Sequence, residues 1–332
     1  IAWDRLSGVI DADQRFVCAG ASLRSRVLGA LPGLSDGRFL GEPQGRDTLA
    51  AMALSAAVIG RNDPDAVLGV FTSDQIIEPV DAFRDVVVRG YDLAESMPDA
   101  LVTFGVKPVE PSPSYGYLEL GDAVGGAAGK RSGARIVRRF REKPDRGTAR
   151  SYLEAGPERY LWNSGMFVWR ASRFLELTRR YQPDVADAVE RIRDSWDGPR
   201  REAVLREGYP GVRRISVDFA VMEPASVDPS ARVLAVPMDL SWRDIGSWPS
   251  YAEICRRDAD GNAYAAETAL LQESHGTFVF SSDPSHLVAG VGLEDLMVVH
   301  TPRVTLVCRR DRAEEIKKLV EKLGKELGPG YQ

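Results

Sequence analysis

Cysteine and histidine are scarce in this chain, with three of each among 332 residues. Cys18, Cys255 and Cys308 are far apart, odd in number and form no C-x-x-C pair. That argues against a disulfide framework or a thiolate zinc site and fits a reducing compartment. His275, His286 and His300 all fall in the last fifth of the chain, with no H-E-x-x-H and no histidine elsewhere to act as a general base. Long apolar runs are missing, so no segment reads as a membrane span. The start, Ile1-Ala2-Trp3-Asp4-Arg5, does not fit a secretory leader, and a cytoplasmic location is expected. An excess of positive charge is missing as well. The net charge of -5 argues against non-specific nucleic-acid binding, yet leaves room for a small anionic substrate held by a few local cations. Chemistry that needs no histidine, such as metal-assisted transfer at phosphorus, therefore rises in rank. The ligands of any metal should be carboxylates, which favours Mg²⁺ or Mn²⁺ over zinc.

What is present is an ordinary globular composition, 44% hydrophobic and 27% charged, in a chain long enough for one large or two ordinary domains. Strands are expected at Arg15–Ala19, Arg38–Gly41, Ala66–Phe71 and Ala100–Val106. They alternate with helices at Ser22–Leu31, Asp47–Arg61 (capped by Asp47 or Thr48) and Val80–Ser96. This alternation implies right-handed βαβ units in an α/β, doubly wound, mostly parallel sheet, with Ala66–Phe71 suited to its middle. Tyr115–Leu120, Arg135–Arg141 and Leu161–Trp169 read as strands without long helices between them, so an antiparallel element should join and make the sheet mixed. Helices are expected at Ser172–Tyr181 and Asp184–Trp196, and a mobile Gly/Ala-rich loop at Asp122–Gly133. From Arg256 short strand-like pieces appear at Thr277–Ser281, Leu287–Ala289, Met297–His300 and Thr305–Cys308. They suit a small β-domain or β-helix-like coil, which sets the expected domains at residues 1–255 and 256–332. The closing segment Arg312–Leu327 carries a stripe of Ile316, Leu319, Val320, Leu323 and Leu327, suited to a capping helix or to a partner helix in a homodimer.

Five stretches could carry chemistry. Tyr160–Trp169 places Asn163-Ser164-Gly165 inside an aromatic and aliphatic run. Burying an amide and a hydroxyl costs free energy unless they have partners, so Asn163 and Ser164 either pair with nearby backbone or meet a polar ligand. Asp74 follows the Ala66–Phe71 strand, where ligands bind in open α/β sheets; it is placed to meet a metal-nucleotide or to cap the next turn. Asp244, in Trp242-Arg243-Asp244-Ile245-Gly246-Ser247-Trp248, is a second acid; it could equally pair with Arg243 or cap a helix starting at Ser247. The turn Glu42-Pro43-Gln44-Gly45-Arg46-Asp47-Thr48 opens a helix and suits an anion, a nucleobase edge or a plain cap. Glu142-Lys143-Pro144 follows a basic strand; its lysine could neutralise a phosphate and its glutamate accept from hydroxyls, or the two could form a surface ion pair.

Taken in order along the chain, these motifs resemble the sugar-1-phosphate nucleotidyltransferases, most closely their mannose-1-phosphate guanylyltransferase branch. Tyr115-Gly116-Tyr117 resembles the family's G-Y-G-Y loop, with Ser114 in place of the preceding glycine, and Ser216–Glu223 resembles its S-x-D-x-A-V-M-E. The resemblance implies a glycosyltransferase-A-like core and the reaction of GTP with mannose 1-phosphate to give GDP-mannose and pyrophosphate. It implies Mg²⁺ (or Mn²⁺) on Asp74 and Asp244, with Gln75 standing where the family usually has histidine. Gly45, Arg46, Asp47 and Thr48 would lie beside the guanine, Lys143 at the sugar phosphate, and Gly116, Glu142, Asn163 and Ser164 around the sugar. Asp218 would reach the sugar or serve as a helix cap. The family's first strand and its glycine-rich G-G-x-G-T-R loop have no counterpart here, and the expectation is a shortened form of a longer protein. Two other readings stay open: a nucleotidyltransferase for another NTP and hexose phosphate, and a catalytically silent sugar-nucleotide-binding regulatory subunit.

Overall fold

The computed structural model describes residues 2–328 and shows two compact units. The first comprises the chain up to Ser73 together with Ile77–Trp242; the second comprises Asp74–Ile76 and the chain from Arg243 on.

The first unit begins with β1 (Val17–Gly20) and β2 (Phe39–Glu42), which pair in parallel as a two-stranded sheet. Its main sheet has six strands: β3 (Val67–Val70), β5 (Ala100–Val106), β6 (Tyr117–Ala123), β7 (Arg135–Arg141), β8 (Tyr160–Arg170) and β9 (Arg232–Met238), in the order β3-β8-β5-β9-β7-β6. β4 (Gln75–Glu78) pairs with β10 (Ser241–Asp244) in a separate ribbon. The sheet is mixed, as expected. Four of its six strands run the same way, but β8 and β7 run against them, so only β5–β9 is a parallel ladder within it.

Two expectations change. Ala66–Phe71 reads as a middle strand, whereas β3 closes one side of the six-strand order. Its run is continuously apolar because both faces are covered: Leu68 and Val70 pack on one core cluster, Val67 and Phe71 on the other. β9, which the sequence reading leaves out, lies fully inside the sheet. Proline is rare in central strands, yet Pro237 lies past the Arg135–Ala235 and Ile136–Leu234 pairs by which β7 joins it, so its missing N–H is not needed there.

Helices cover both faces. Asp47–Ile59, Ala171–Tyr181 and Pro183–Asp194 pack on the face that carries Leu161, Phe167 and Trp169 of β8. Val80–Ser96 covers the opposite face with Phe83, Val86, Val87 and Leu93, against Trp162, Met166 and Val168. Trp169 stacks on Phe174 with ring centroids 4.2 Å apart, fixing β8 to the helix that follows it. The glycine-rich stretch expected as a mobile loop contains a helix, Gly126–Ser132, because Ala127, Ala128, Lys130 and Arg131 are good helix formers and Gly133, at φ +65°, closes it.

The second unit stacks short strands. β12 (Ala263–Ala265), β14 (Phe278–Ser281) and β16 (Leu296–His300) pair in parallel, and β13 (Thr268–Gln272) pairs with β15 (Leu287–Val291) in a second parallel ladder. That is the geometry of a coiled β-solenoid. β11 (Arg256–Arg257) and β17 (Thr305–Arg309) close the first ladder with antiparallel pairs. Phe278, Met297 and Val299 form its core together with Ala252, and Trp248, Tyr251 and Cys255 pack against them. Those contacts draw Trp248–Glu253 into this unit. Helix Ile316–Leu327 follows, with Leu319 and Leu327 exposed.

Candidate active site

Asn163 sits where β8 bulges. Thr103 of β5 pairs with Phe167 and Gly105 with Asn163, so Ser164-Gly165-Met166 stand against the single residue Phe104. Gly165 makes the turn possible at φ +73°, and the bulge re-aims Asn163. The fully buried Thr103 hydroxyl lies 2.7 Å from Asn163 Oδ1 and 3.0 Å from the Met166 carbonyl. Asn163 Nδ2 donates to Asp218 Oδ1 at 2.9 Å, and its backbone N–H donates to the Gly116 carbonyl at 2.8 Å. A carboxylate only accepts, so Asp218 fixes which end of the amide faces it. Ser164 serves the bulge itself, its hydroxyl oxygen accepting the Met166 N–H at 3.3 Å.

Glu142 is 7% exposed, and its Oε2 stands 2.6 Å from where a Cβ on Gly116 would lie, so a side chain at 116 would displace it. Lys143 follows in the left-handed region at φ +44°, with Nζ 3.5 Å from Glu142 Oε1 and its side chain largely in solvent. Left-handed backbone at a non-glycine residue is strained and persists only where its surroundings enforce it. Burial, and then the neighbouring Asp218 charge, push the Glu142 carboxyl well above the usual range, with Lys143 opposing. Burial likewise raises Asp218, opposed by its own backbone N–H, Lys143 and the Asn163 amide, while Asp47 adds to the rise. Gly116, Glu142, Lys143, Asn163 and Asp218 therefore form one group. It offers two carboxylate acceptors and an ammonium, a set suited to a polyhydroxylated anion. The expected cap at Asp218 does not form: Asp218–Met222 is a π-turn with no side-chain cap from its preceding residue, and Ser216 Oγ takes the Phe219 N–H instead.

The turn before helix Asp47–Ile59 lies in the same unit. Asp47 sits at φ +67° and its Oδ1 accepts the Thr48 N–H at 2.8 Å, but Arg46 stands at the N-cap and no side chain caps the helix, so neither Asp47 nor Thr48 takes the expected role. The Thr48 hydroxyl is turned away and accepts the Val217 N–H at 2.9 Å. Arg46 donates to the Pro210 carbonyl and, at 3.2 Å, to Gln44 Oε1.

Asp74 and Asp244 form a separate group in the second unit. Ile245 N–H donates to the Asp74 carbonyl at 2.8 Å, and Gly246 N–H to Asp244 Oδ1 at 2.8 Å. A Cβ on Gly246 would lie 3.0 Å from Asp244 Oδ1 and 3.1 Å from Asp74 Oδ2, so both carboxylates face the same bare α-carbon. The helix that Asp244 might have capped, Trp248–Glu253, is capped by Ser247. Among the described residues no cluster of three or more His, Cys, Asp or Glu could hold a metal ion; this acidic pair is the smaller arrangement present.

Thr103 and Tyr209 are absent from the candidate residues of the sequence reading, and Glu42 enters it only as the start of the turn. Thr103 had one available signal, a lone hydroxyl in the otherwise apolar run Ala100–Val106. Tyr209 had none, because its partner lies 167 positions away.

Residues 34–261 match the family model described as nucleotidyl transferase, and residues 269–323 match one described as a mannose-phosphate isomerase/GMP-like β-helix domain. The xanthan biosynthesis protein XanB of Xanthomonas campestris is 38% identical over 295 residues, 88% of this chain and 58% of that protein. The mannose-1-phosphate guanylyltransferase of Escherichia coli K12 is 37% identical over 286 residues, 85% of this chain and 57% of that protein. A Thermus thermophilus crystal structure described as a mannose-1-phosphate geranyltransferase superposes with a TM-score of 0.76 at 26% identity, covering 96% of this chain and 87% of that one. The chain thus spans less than two thirds of the length of these two curated relatives.

Proposed function

The chain belongs to the nucleotidyl transferase family, and from that premise we propose that it transfers GMP from GTP to mannose 1-phosphate, releasing pyrophosphate and giving GDP-mannose. The observation that carries the reading is the group of Glu142, Lys143, Asn163 and Asp218, which sets two carboxylates and an amide beside one exposed ammonium. Sugar hydroxyls donate to Glu142 and Asp218, and Lys143 meets the phosphate as a compact point charge. The phosphate oxygen of the sugar attacks the α-phosphorus of GTP in line, and pyrophosphate leaves. No covalent intermediate on the protein is required, so the side chains act by positioning and by offsetting charge. The turn Gly45–Thr48 takes the guanine edge, with backbone N–H groups at a helix start.

Asp74 and Asp244 fit a hard divalent cation: both offer carboxylate oxygens, and the bare α-carbon of Gly246 leaves the space before them open. When bound there, Mg²⁺ or Mn²⁺ would offset the charge of the nucleotide phosphates. Free thiols at Cys18, Cys255 and Cys308 and the use of GTP support a cytoplasmic setting, and the exposed stripe of Ile316–Leu327 supports a homodimer.

The test is pyrophosphate release by the protein expressed from its complete gene, with GTP, UTP, CTP and dTTP each offered with mannose 1-phosphate or glucose 1-phosphate. GTP with mannose 1-phosphate should exceed every other pair and require a divalent cation. Equal or better use of another pair, or full activity in excess EDTA, would sink the reading.

A further inference from the structure

Tyr209 is fully buried, belongs to no part of the chemistry above, and donates to Glu42 Oε1 at 2.5 Å. This bond is the first of a series. Pro210 gives its carbonyl to Arg46, Ile215 gives its carbonyl to the Leu49 N–H at 3.3 Å, and Val217 gives its N–H to the Thr48 hydroxyl at 2.9 Å. Asp218 then takes the Asn163 amide at 2.9 Å. Residues 209–218 thus run as a strap along the turn 42–49 and end in the carboxylate that fixes Asn163. The turn needs such backing, because Asp47 holds a left-handed backbone that nothing within residues 45–48 except its own carboxylate contact supports.

We propose that Tyr209 is a positioning residue, which through Glu42 holds the turn Gly45–Thr48 against the strap and so couples the nucleotide turn to the sugar-binding carboxylate Asp218. The inference rests on the reading of Gly45–Thr48 as the nucleotide turn. Two further groups, Cys18 and Arg46, face the Glu42–Tyr209 pair. The Cys18 thiol is pushed up to about 12 by burial and then by the Glu42 charge. Arg46 acts on Tyr209 from the turn. The Tyr209 hydroxyl lowers a Glu42 carboxyl that burial otherwise raises. Without that hydroxyl the Glu42 carboxyl should protonate at higher pH and release the turn.

The test compares Tyr209→Phe, Glu42→Gln and the unaltered protein, expressed from the complete gene. Tyr209→Phe should raise KM for GTP about tenfold, the loss of one bond to a charged acceptor, while kcat changes less than about threefold. It should also weaken the mutual enhancement of GTP and mannose 1-phosphate binding, and shift the acidic limb of kcat/KM upward in pH. Glu42→Gln keeps an acceptor for the phenol, so its KM should stay within about threefold of the unaltered protein, while that acidic limb moves away. If Tyr209→Phe does not fold, the Glu42→Gln pH profile decides: an unmoved acidic limb overturns the proposal. Unaltered protein that makes GDP-mannose beside a Tyr209→Phe variant with normal KM and coupling overturns the strap alone. Unaltered protein that ignores GTP overturns the functional reading first.

Discussion

Two pairs of carboxylates in this chain are built in opposite ways. Glu142 is buried and Asp218 half-buried, and each has a fixed neighbour: Lys143 at Glu142 Oε1 and Asn163 at Asp218 Oδ1, with Thr103 holding Asn163 from behind. Asp74 and Asp244 stand on turns around a glycine, one exposed and one half-buried, tied chiefly through backbone N–H groups. A withdrawn charge is costly unless its partners are in place beforehand, so the first pair is a preformed shape. A pair near water keeps its solvation until something better arrives, and a hard cation is what two such oxygens can exchange water for. Under the proposed function, the difference would give recognition of a fixed ligand to the first pair and capture of an exchangeable ion to the second.

That contrast breaks most visibly at Asp244. In Asp244→Asn the size is kept and one carboxylate charge of the proposed cation site is lost. Turnover should drop on the order of a hundredfold or more, since a catalytic metal supplies several kcal/mol. Raised Mg²⁺ should recover part of the loss, and the melting temperature without metal should move little. Steady-state kinetics across a Mg²⁺ series, beside thermal melts, checks it. A normal rate would make the pair a device for closing turns.

Lys143→Ala tests the other side. The ammonium is largely in solvent while the carboxylate beside it is buried, so its loss should affect the ligand and the carboxylate together. KM for mannose 1-phosphate should rise about tenfold to a hundredfold, the cost of about 1.5–3 kcal/mol for a charge-assisted bond, with KM for GTP nearly unchanged. A defect confined to GTP would place Lys143 on the nucleotide instead.

Much of the recognition pair could be seen in the sequence, for a physical reason. Asn-Ser-Gly interrupts an apolar strand, and an unexplained buried polar step must be accounted for. What could not be seen was how it is accounted for. The bulge depends on register with β5, and register is set by the neighbouring strand. Asp218 lies 55 positions from Asn163, and nothing local in Ser216–Glu223 announces the partnership; the local pattern suggested a helix cap. β3 misled in the same way: a continuous apolar run reports that both faces are covered and is silent on which strand stands beside it. The Gly/Ala-rich helix Gly126–Ser132 shows the opposite error, composition read as mobility where local propensity and a glycine stop were enough for a short helix.

The smallest expected effect concerns the energetic cost of the recognition pair. A carboxyl whose pKa is higher in the folded chain than in the unfolded one holds its proton more tightly when folded. It therefore favours folding at low pH, and that contribution drains away as pH rises from the ordinary carboxylate range through the raised value. Burial raises both Glu142 and Asp218, and the Asp218 charge raises Glu142 further. The unaltered protein should thus lose stability from about pH 4.5 upward on account of this pair. Asp218→Asn removes one of the two charges, keeps an oxygen for the Asn163 amide and lets the Glu142 carboxyl return toward its ordinary value. Between about pH 5 and pH 8 the variant should lose less stability than the unaltered protein, by on the order of 1 kcal/mol, while its affinity for mannose 1-phosphate falls. Denaturant titrations at the two pH values, with sugar-phosphate binding measured alongside, give both quantities. An identical pH slope in the two proteins would show that neither the titration of Asp218 nor its charge on Glu142 contributes to the slope. The withdrawn pair would then resemble the solvent-facing one in its energetics, and burial would no longer separate the two.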